Sequence, residues 1–204
     1  ENFTFLPPAD AENYQLPETE DNFNFESGKI YRTESSYKES ILPSTYSITG
    51  GDSVAVLYID GDLLIDDSLT TISNGRLLII VNGDVTIGSG VGTGVFKPSF
   101  DISLNPDIMA GIIARGIIGF ESKGSITEFN HDAPVMVSAP LISKTSISFR
   151  RDLYHDINAT TPAESVKAFN KYLYLLTSLE REKSQDNLYF TGLTTYGLDW
   201  EYIY

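Results

Sequence analysis

Apolar and polar residues alternate in two closely similar phrases in the first half of the chain. Residues 58–65 read YIDGDLLI, and residues 80–87 read IVNGDVTI. Successive side chains of a strand point to opposite faces, so this alternation predicts short strands flanking each Gly-Asp pair. The pairs begin at Gly61 and Gly83, 22 residues apart, which is a spacing typical of repeat architectures. The two phrases therefore predict adjacent coils of a β-solenoid.

The same pattern continues toward the C-terminus. Residues 112–120 place Gly116 in the position of Gly83, after an inserted loop rich in Gly, Pro, Ser and Asn. Residues 135–142 predict a further coil, with Ala139 in the position of Gly116, and a last strand is expected at 145–149. The aliphatic side chains expected to fill the interior are Ile59, Ile65, Val81, Ile87, Ile113 and Ile117. Each such burial contributes roughly 1.5–3 kcal/mol.

The predicted fold class is mainly β. It is a right-handed, single-stranded β-solenoid over residues 46–150, with an extended N-terminal arm at 1–45 and a helix cap with an aromatic tail at 151–204. An antiparallel β-sandwich is the alternative, because it also has short strands and frequent turns. Repetition of the Gly-Asp phrase in one register favours the solenoid.

The N-terminal arm contains two alternating aromatic fragments, NFTF at residues 2–5 and NFNF at residues 22–25. Each predicts a short strand with aromatic rings on one face. The arm either packs along its own domain or adds a strand to the sheet edge of a neighbouring subunit, where main-chain hydrogen bonds provide affinity. The candidate residues for self-association are Phe3, Phe5, Phe23 and Phe25.

A helix start is predicted near residue 161. Thr161 stands as N-cap, Pro162 at the first helical position and Glu164 three residues after the cap, which together form a capping box. We expect the helix to run to about residue 182, with apolar residues such as Phe169 and Leu173 on one face. An amphipathic helix can cover the open sheet edge at the end of a solenoid.

Composition narrows the classes of partner. The net charge is −14, which argues against nucleic acid and against an anionic membrane surface, because both require a basic surface. No stretch approaches the ~18–20 apolar residues of a membrane span. The absence of cysteine excludes disulfides, thiolate catalysis and cysteine zinc sites.

The acidic turns are the candidate metal site. Coils stacked in register place Asp62 and Asp84 about one strand spacing apart, with Asp60 and Asn82 similarly aligned. Calcium prefers such clustered carboxylate oxygens, so Asp60, Asp62 and Asp84 are its candidate ligands. Carboxylate pairs also catalyse glycoside hydrolysis. The third interpretation is turn formation, with each Asp hydrogen-bonded to its own backbone.

No motif in the chain predicts a catalytic centre. His131 and His155 are the two histidines, and neither has a second histidine or carboxylate at metal-ligand spacing. A nucleophile elbow, a phosphate-binding loop and a dinucleotide fingerprint are absent from the sequence. We therefore expect no enzymatic activity, no catalytic residue and no cofactor other than calcium.

The chain resembles uncharacterised surface proteins of ultrasmall, candidate-phylum bacteria and, more distantly, bactofilin-type polymer-forming solenoids. The resemblance rests on five short segments: 59–62 (IDGD), 81–84 (VNGD), 139–143 (APLIS), 149–152 (FRRD) and 198–200 (LDW). It covers roughly residues 50–204. It implies a β-solenoid with an extracytoplasmic structural role, and it supplies no catalytic residues.

These observations together predict a secreted or cell-surface structural protein that forms a homo-oligomer or polymer. A filament subunit that engages its neighbour through the N-terminal strand is the specific form of this hypothesis. Two alternatives stay open: a carbohydrate-binding or carbohydrate-cleaving β-helix with a glycan partner, and a calcium-dependent adhesion module.

Overall fold

The computed structural model of this chain is a parallel β-solenoid. It describes residues 5–14, 22–33, 39–41, 45–51, 54–92, 106–124, 130–153 and 163–166. Within these ranges every strand pairing is parallel, and no helix occurs. The predicted solenoid is confirmed, and the antiparallel sandwich is excluded.

The strands are short, as expected for coils with frequent turns. In chain order they are β1 (Glu12–Tyr14), β2 (Asn22–Glu26), β3 (Ile30–Thr33), β4 (Glu39–Ile41), β5 (Thr45–Thr49), β6 (Val54–Ile59), β7 (Asp62–Ile65), β8 (Thr70–Thr71), β9 (Arg76–Val81), β10 (Val85–Ile87), β11 (Gly111–Ala114), β12 (Ile118–Phe120), β13 (Val135–Val137), β14 (Leu141–Ser143), β15 (Ile147–Phe149) and β16 (Glu164–Val166).

The strands build three faces. Sheet A has the order β1-β3-β6-β9-β11-β14, and sheet B has the order β4-β7-β10-β12-β15. The third face, which we call face C, has two parts: a sheet of order β2-β5-β8 and a strand pair β13-β16. Parallel bridges from Leu69 to Ile108 and from Ile108 to Val137 join these two parts. From β3 onward the chain visits sheet A, sheet B and face C in that order, once per coil.

The three corners differ in length. From β6 onward, the corner between sheets A and B is a turn of two or three residues, and in two coils it contains the Gly-Asp pair. The corner between sheet B and face C receives long insertions at 88–107, 121–134 and 150–163. The described residues at the ends of these insertions come together in space, because the coils stack directly on one another.

Stacked columns of aliphatic and aromatic side chains form the interior. Ile65, Ile87 and Phe120 lie in one column of sheet B, and all three are fully buried. Ile59 and Val81 are also core residues, as predicted.

Two of the predicted interior positions are wrong. Ile113 is buried on the outer face of sheet A, because its neighbour Ile112 points inward and side chains alternate along the strand. Ile117 is 40% exposed, because it belongs to the turn before β12.

The N-terminal segment differs from the predicted arm. Strands β1 to β5 extend the same parallel sheets, so the solenoid begins by residue 12 rather than at residue 46. The Tyr14 ring stacks on Phe25 with centroids 4.8 Å apart and meets Phe23 edge-on at 6.0 Å. The described residues from 12 to 49 therefore form coils that share the core of the solenoid.

The start of the predicted C-terminal helix is wrong. Glu164–Val166 forms strand β16, which pairs in parallel with Val135–Val137. Its Glu164 side chain accepts a hydrogen bond from the Arg151 backbone amide (2.8 Å). A parallel partner strand thus replaces the capping box at these residues. The rest of the predicted helix, to residue 182, and the aromatic tail lie outside the described residues.

Candidate functional site

The predicted acidic residues share the corner between sheets A and B. Asp60 precedes Gly61 in its turn, Asp62 opens strand β7, and Asp84 lies one coil further on, before strand β10. The structure therefore places all three predicted calcium ligands on one edge of the solenoid.

Hydrogen bonds connect these side chains from coil to coil. The Asp62 Oδ1 atom accepts the backbone N–H of Asp84 (2.8 Å), and the Asp84 Oδ1 atom accepts the backbone N–H of Ile117 (2.7 Å). We call this series the Asp ladder. Each carboxylate satisfies a backbone donor that the tight turn would otherwise leave to solvent.

A second series runs beside the Asp ladder. The Asn82 Nδ2 group donates to Asp60 Oδ1 (2.9 Å), and Arg115 Nη1 donates to Asn82 Oδ1 (3.0 Å). Backbone bonds reinforce the corner, since the Gly116 N–H donates to the Gly83 carbonyl (2.8 Å). The corner is thus held by a continuous set of contacts between successive coils.

The Asp ladder also explains the glycines of the repeat. A β-carbon at residue 83 would overlap Asp62 Oδ1, and one at residue 116 would overlap Asp84 Oδ1. Neither glycine has a positive φ, so space rather than backbone conformation requires them. Each Asp therefore requires a glycine in the coil that follows.

The Asp ladder ends where the sequence changes. Ile117 occupies the place of Asp84 in the next coil, and the pairing register sets Thr145 opposite Gly116. A residue with a β-carbon fits there because no carboxylate projects toward it. The predicted equivalence of Ala139 with Gly116 is therefore wrong.

These contacts do not test the calcium prediction. They do give the three acids a structural role, which is to connect successive coils. Within the described ranges no group of three or more His, Asp or Glu side chains could hold a metal ion. One oxygen of each of Asp60, Asp62 and Asp84 already accepts a hydrogen bond from the next coil. These bonds serve the turns, as the turn-forming alternative expected, but they run to the backbone of the next coil and, for Asp60, to the Asn82 side chain rather than to each residue's own backbone.

The aromatic residues predicted for self-association fall into three environments. Phe23 and Phe25 are in the core, with 0% and 1% exposure, so a neighbouring chain cannot reach them in the folded protein. Phe5 packs against a buried apolar cluster on the outer face of sheet A that includes Val56 and Ile80. Phe3 lies outside the described residues. The described part of the segment matches the interpretation in which the arm packs on its own domain.

A buried polar network braces the insertion corner. The Arg151 guanidinium donates to the carbonyls of Gly88 (2.6 Å), Val91 (2.5 Å) and Ala133 (2.9 Å). Asp132, fully buried, accepts the backbone N–H groups of Lys123 and Asp152, both at 2.8 Å. These contacts join the bases of all three insertions.

The electrostatics of this network follow from its burial. Burial lowers the pKa of the Arg151 guanidinium, and nearby Asp132, Glu164 and Asp107 act in the opposite direction. Burial also raises the pKa of Glu164, against the favourable hydrogen bond from the Arg151 backbone. The surrounding carboxylates and carbonyls therefore stabilise the charged form of the Arg151 guanidinium against the effect of burial.

The structure describes one of the two histidines. His131 is half-buried beside the network, with Nδ1 2.9 Å from the Asp132 carbonyl oxygen. His155 lies outside the described residues.

The last described coil, of β14, β15 and β16, is the edge of all three faces among the described residues, and we call it the open end. Phe149 continues the interior column of Phe120, with ring centroids 5.1 Å apart, and Val166 continues the column of Val137. Phe149 is nevertheless 52% exposed and Val166 40% exposed, because the described residues provide no further coil beyond them. Ile142, on strand β14, is 42% exposed and lies on the outer face of sheet A, in register with Ile113. Each strand of this coil thus presents one large apolar side chain.

Sequence reasoning expected a sheet edge at the C-terminal end of the solenoid, but it missed the Arg151 network. The sequence signal for this network was the Arg-Asp segment at residues 150–152, which carries charge into an otherwise apolar strand region. The partners of Arg151 are backbone carbonyls, which leave no signature in the side-chain sequence.

Comparison of the chain with protein-family models, with curated proteins and with solved structures gives no match. Among the described residues no helix is long and apolar enough to cross a membrane.

Proposed function

We propose that this protein is a non-catalytic structural subunit that self-associates through the open end of its solenoid. The observation that carries this proposal is the exposed final coil of β14, β15 and β16. Its strands are edge strands among the described residues, and their interior-facing Phe149 and Val166 lie half-exposed.

Backbone geometry supports the same proposal. An edge strand has N–H and C=O groups along its outer side that can pair with another chain. On either side of β14, the carbonyl of Pro140 and the amide of Lys144 bond to β11. The alternate groups of a parallel strand face the opposite side. The end of the solenoid therefore offers both hydrogen-bonding groups and apolar surface to a partner.

The site of action in this proposal is outside the cell or on its surface. Support comes from the sequence alone, through the resemblance to surface solenoids. Labelling of intact cells with an impermeant amine reagent tests it: surface location predicts modification of the exposed Lys144 without cell lysis.

Sedimentation velocity over a concentration series tests self-association, with negative-stain electron microscopy of the same samples. We expect the sedimentation coefficient to rise with concentration. The substitution Phe149→Asp places a charge where the interior column of sheet B meets the open end and should reduce association roughly 30-fold, as expected for a central interface residue, while circular dichroism checks that the variant still folds.

Ile72→Asp is the matched control. Ile72 is 75% exposed and lies in the middle of the solenoid, away from the open end. The control should associate as the unsubstituted chain does. A chain that stays monomeric at all concentrations, or equal effects of the two substitutions, contradicts the proposal.

A further inference from the structure

We propose that Asn82-Gly83 is a latent deamidation site, kept unreacted in the folded solenoid by contacts to the two neighbouring coils. Asparagine is a thermally labile residue. A following glycine favours its deamidation, because glycine has no side chain to hinder the attack and adopts many backbone conformations. The dipeptide lies in the turn between β9 and β10, and the inference does not depend on self-association.

The reaction uses only the dipeptide and water. The Gly83 backbone nitrogen loses its proton and attacks the Asn82 Cγ atom, the bond from Cγ to Nδ2 breaks, and ammonia leaves with that proton. Water then opens the cyclic imide to aspartate or isoaspartate. The attack requires the two groups to come together in a defined geometry, so contacts that hold either group elsewhere slow it.

The Asn82 side chain is held from both sides. Its Nδ2 group donates to Asp60 Oδ1 in the preceding coil (2.9 Å), and its Oδ1 atom accepts from Arg115 Nη1 in the following coil (3.0 Å). Rotation of the amide out of this arrangement breaks hydrogen bonds to charged partners, which are stronger than those between neutral groups.

The backbone of the dipeptide is held in the same way. The Asn82 N–H donates to the Ile59 carbonyl (2.9 Å), and the Gly83 carbonyl accepts the Gly116 N–H (2.8 Å). Gly83 also packs so closely on the Asp62 carboxylate that a β-carbon would overlap it. The turn therefore resists the conformational change that the attack requires.

Charge adds to this restraint. The Gly83 amide has to lose its proton before it attacks, and negative charge close by opposes that loss. The Asp62 carboxylate lies against Gly83, and the Asp60 carboxylate is hydrogen-bonded to Asn82. Two negative charges thus lie beside the dipeptide.

Deamidation would remove one contact of the corner. Aspartate at residue 82 has no Nδ2 group to donate to Asp60, and it places a second carboxylate beside the first. Isoaspartate lengthens the backbone of a turn that is already closely packed. Stacked coils are therefore protected, whereas loosened coils react, and the product holds the corner less firmly than before.

Peptide mass spectrometry after incubation at mildly alkaline pH measures the reaction. Asn74, which precedes Gly75 in the turn between β8 and β9, is the internal reference in the same molecule. We expect Asn82 to deamidate roughly 100-fold more slowly in the folded chain than in denaturing urea, the factor that two hydrogen bonds to charged groups supply.

Arg115→Met should speed deamidation of Asn82 in the folded chain roughly tenfold, because it removes one of these bonds, and should leave the rate at Asn74 unchanged. Lys144→Met is the matched control. Lys144 is an exposed cation at the same corner, one coil further on, and its backbone N–H, which the substitution keeps, donates to the Ala114 carbonyl. The control should leave both rates unchanged, and circular dichroism checks that both variants fold.

Three results would overturn the proposal. In the first, Asn82 reacts as fast in the folded chain as in urea. In the second, Arg115→Met speeds the reaction at Asn82 and Asn74 by the same factor, which would indicate general loosening. In the third, Arg115→Met leaves the rate at Asn82 unchanged or lowers it, and a lower rate would indicate that Arg115 activates the amide carbonyl.

A pair of substitutions tests the effect of the product. Asn82→Asp should lower the melting temperature, because it sets two carboxylates side by side. Combining it with Asp60→Asn exchanges donor and acceptor and should recover most of that loss. An unchanged melting temperature in Asn82→Asp would show that the corner tolerates deamidation and would contradict the expected loosening.

Discussion

The carboxylate of Asp84 occupies the space that a β-carbon at Gly116 would require, one coil further along the solenoid. The same carboxylate accepts the N–H of the residue that follows this glycine, at 2.7 Å. The Gly-Asp repeat is therefore an interlocking device: the Asp of one coil requires the Gly of the next and satisfies its backbone.

Gly116→Ala should destabilise the fold by about 1–3 kcal/mol, the usual cost of overpacking. The added methyl group would meet Asp84 Oδ1 and the Gly83 carbonyl. Urea unfolding followed by circular dichroism measures the change. Gly119→Ala is the control, because a β-carbon there has only the Val85 carbonyl oxygen nearby, at 3.9 Å.

A double-mutant cycle of Gly116→Ala with Asp84→Ala should show strong coupling. Removing the carboxylate makes space for the methyl group. The double variant should therefore lose less stability than the two single variants lose together. Additive effects would show that the two residues do not compete for this space.

Asp62→Asn should retain most of the stability of the fold, whereas Asp62→Ala should lose about 1–2 kcal/mol. Asn keeps an oxygen that can accept the Asp84 N–H, and Ala leaves that donor without its partner. Thermal unfolding of the two variants provides the comparison. Equal losses in both would indicate that the negative charge, rather than the acceptor, matters.

Calcium should leave the melting temperature of the unsubstituted chain unchanged if the Asp ladder is the whole role of these acids. Scanning calorimetry with added calcium and then with a chelator measures this. A calcium-dependent increase that disappears in Asp62→Asn would instead support the ion site predicted at Asp60, Asp62 and Asp84.

Arg151→Met should destabilise the protein by about 3 kcal/mol. It would remove the donors to Gly88, Val91 and Ala133 and leave the carboxylates around them without their cation. Arg150→Met is the control, because Arg150 is exposed and its side chain bonds to Ser148 Oγ (3.1 Å). Its change should stay within about 0.5 kcal/mol.

Glu164 should make stability pH-dependent. Burial raises its pKa above the ordinary value of 4.5, so the folded state holds this proton more tightly than the unfolded state. Its stabilising contribution is complete below pH 4.5 and is lost as the pH rises through the folded pKa. Across that rise, the free energy of unfolding of Glu164→Gln should therefore increase relative to that of the unsubstituted chain. Urea titrations at successive pH values check this, and a constant difference would contradict it.

Local pattern predicted the solenoid because each coil repeats the alternation and the turn residues in one register. It failed at Ile113, because Ile112 and Ile113 are both aliphatic and the sequence does not indicate which of the two points inward. It failed again at Glu164, where a sequence that matches a capping box pairs instead with strand β13. A capping box stabilises a helix by a modest amount, and parallel pairing with a buried strand provides more contacts.

The candidate site was predictable only in part. The corner that holds Asp60, Asp62 and Asp84 followed from the spacing of the repeat. Their hydrogen-bond partners did not, because these are backbone groups of the next coil. The extent of the N-terminal coils was also missed, because residues 12–49 lack the Gly-Asp phrase that marks the later turns.

The sequence by itself determined the architecture, the coil length and the acidic corner, since periodicity and turn chemistry are local properties. Tertiary structure alone decided which side chains meet between coils. It set Asp84 against Gly116, placed Arg151 among carbonyls of two other insertions, and left Phe149 at the open end of its column. Such contacts depend on the stacking register of distant segments, which no local pattern specifies.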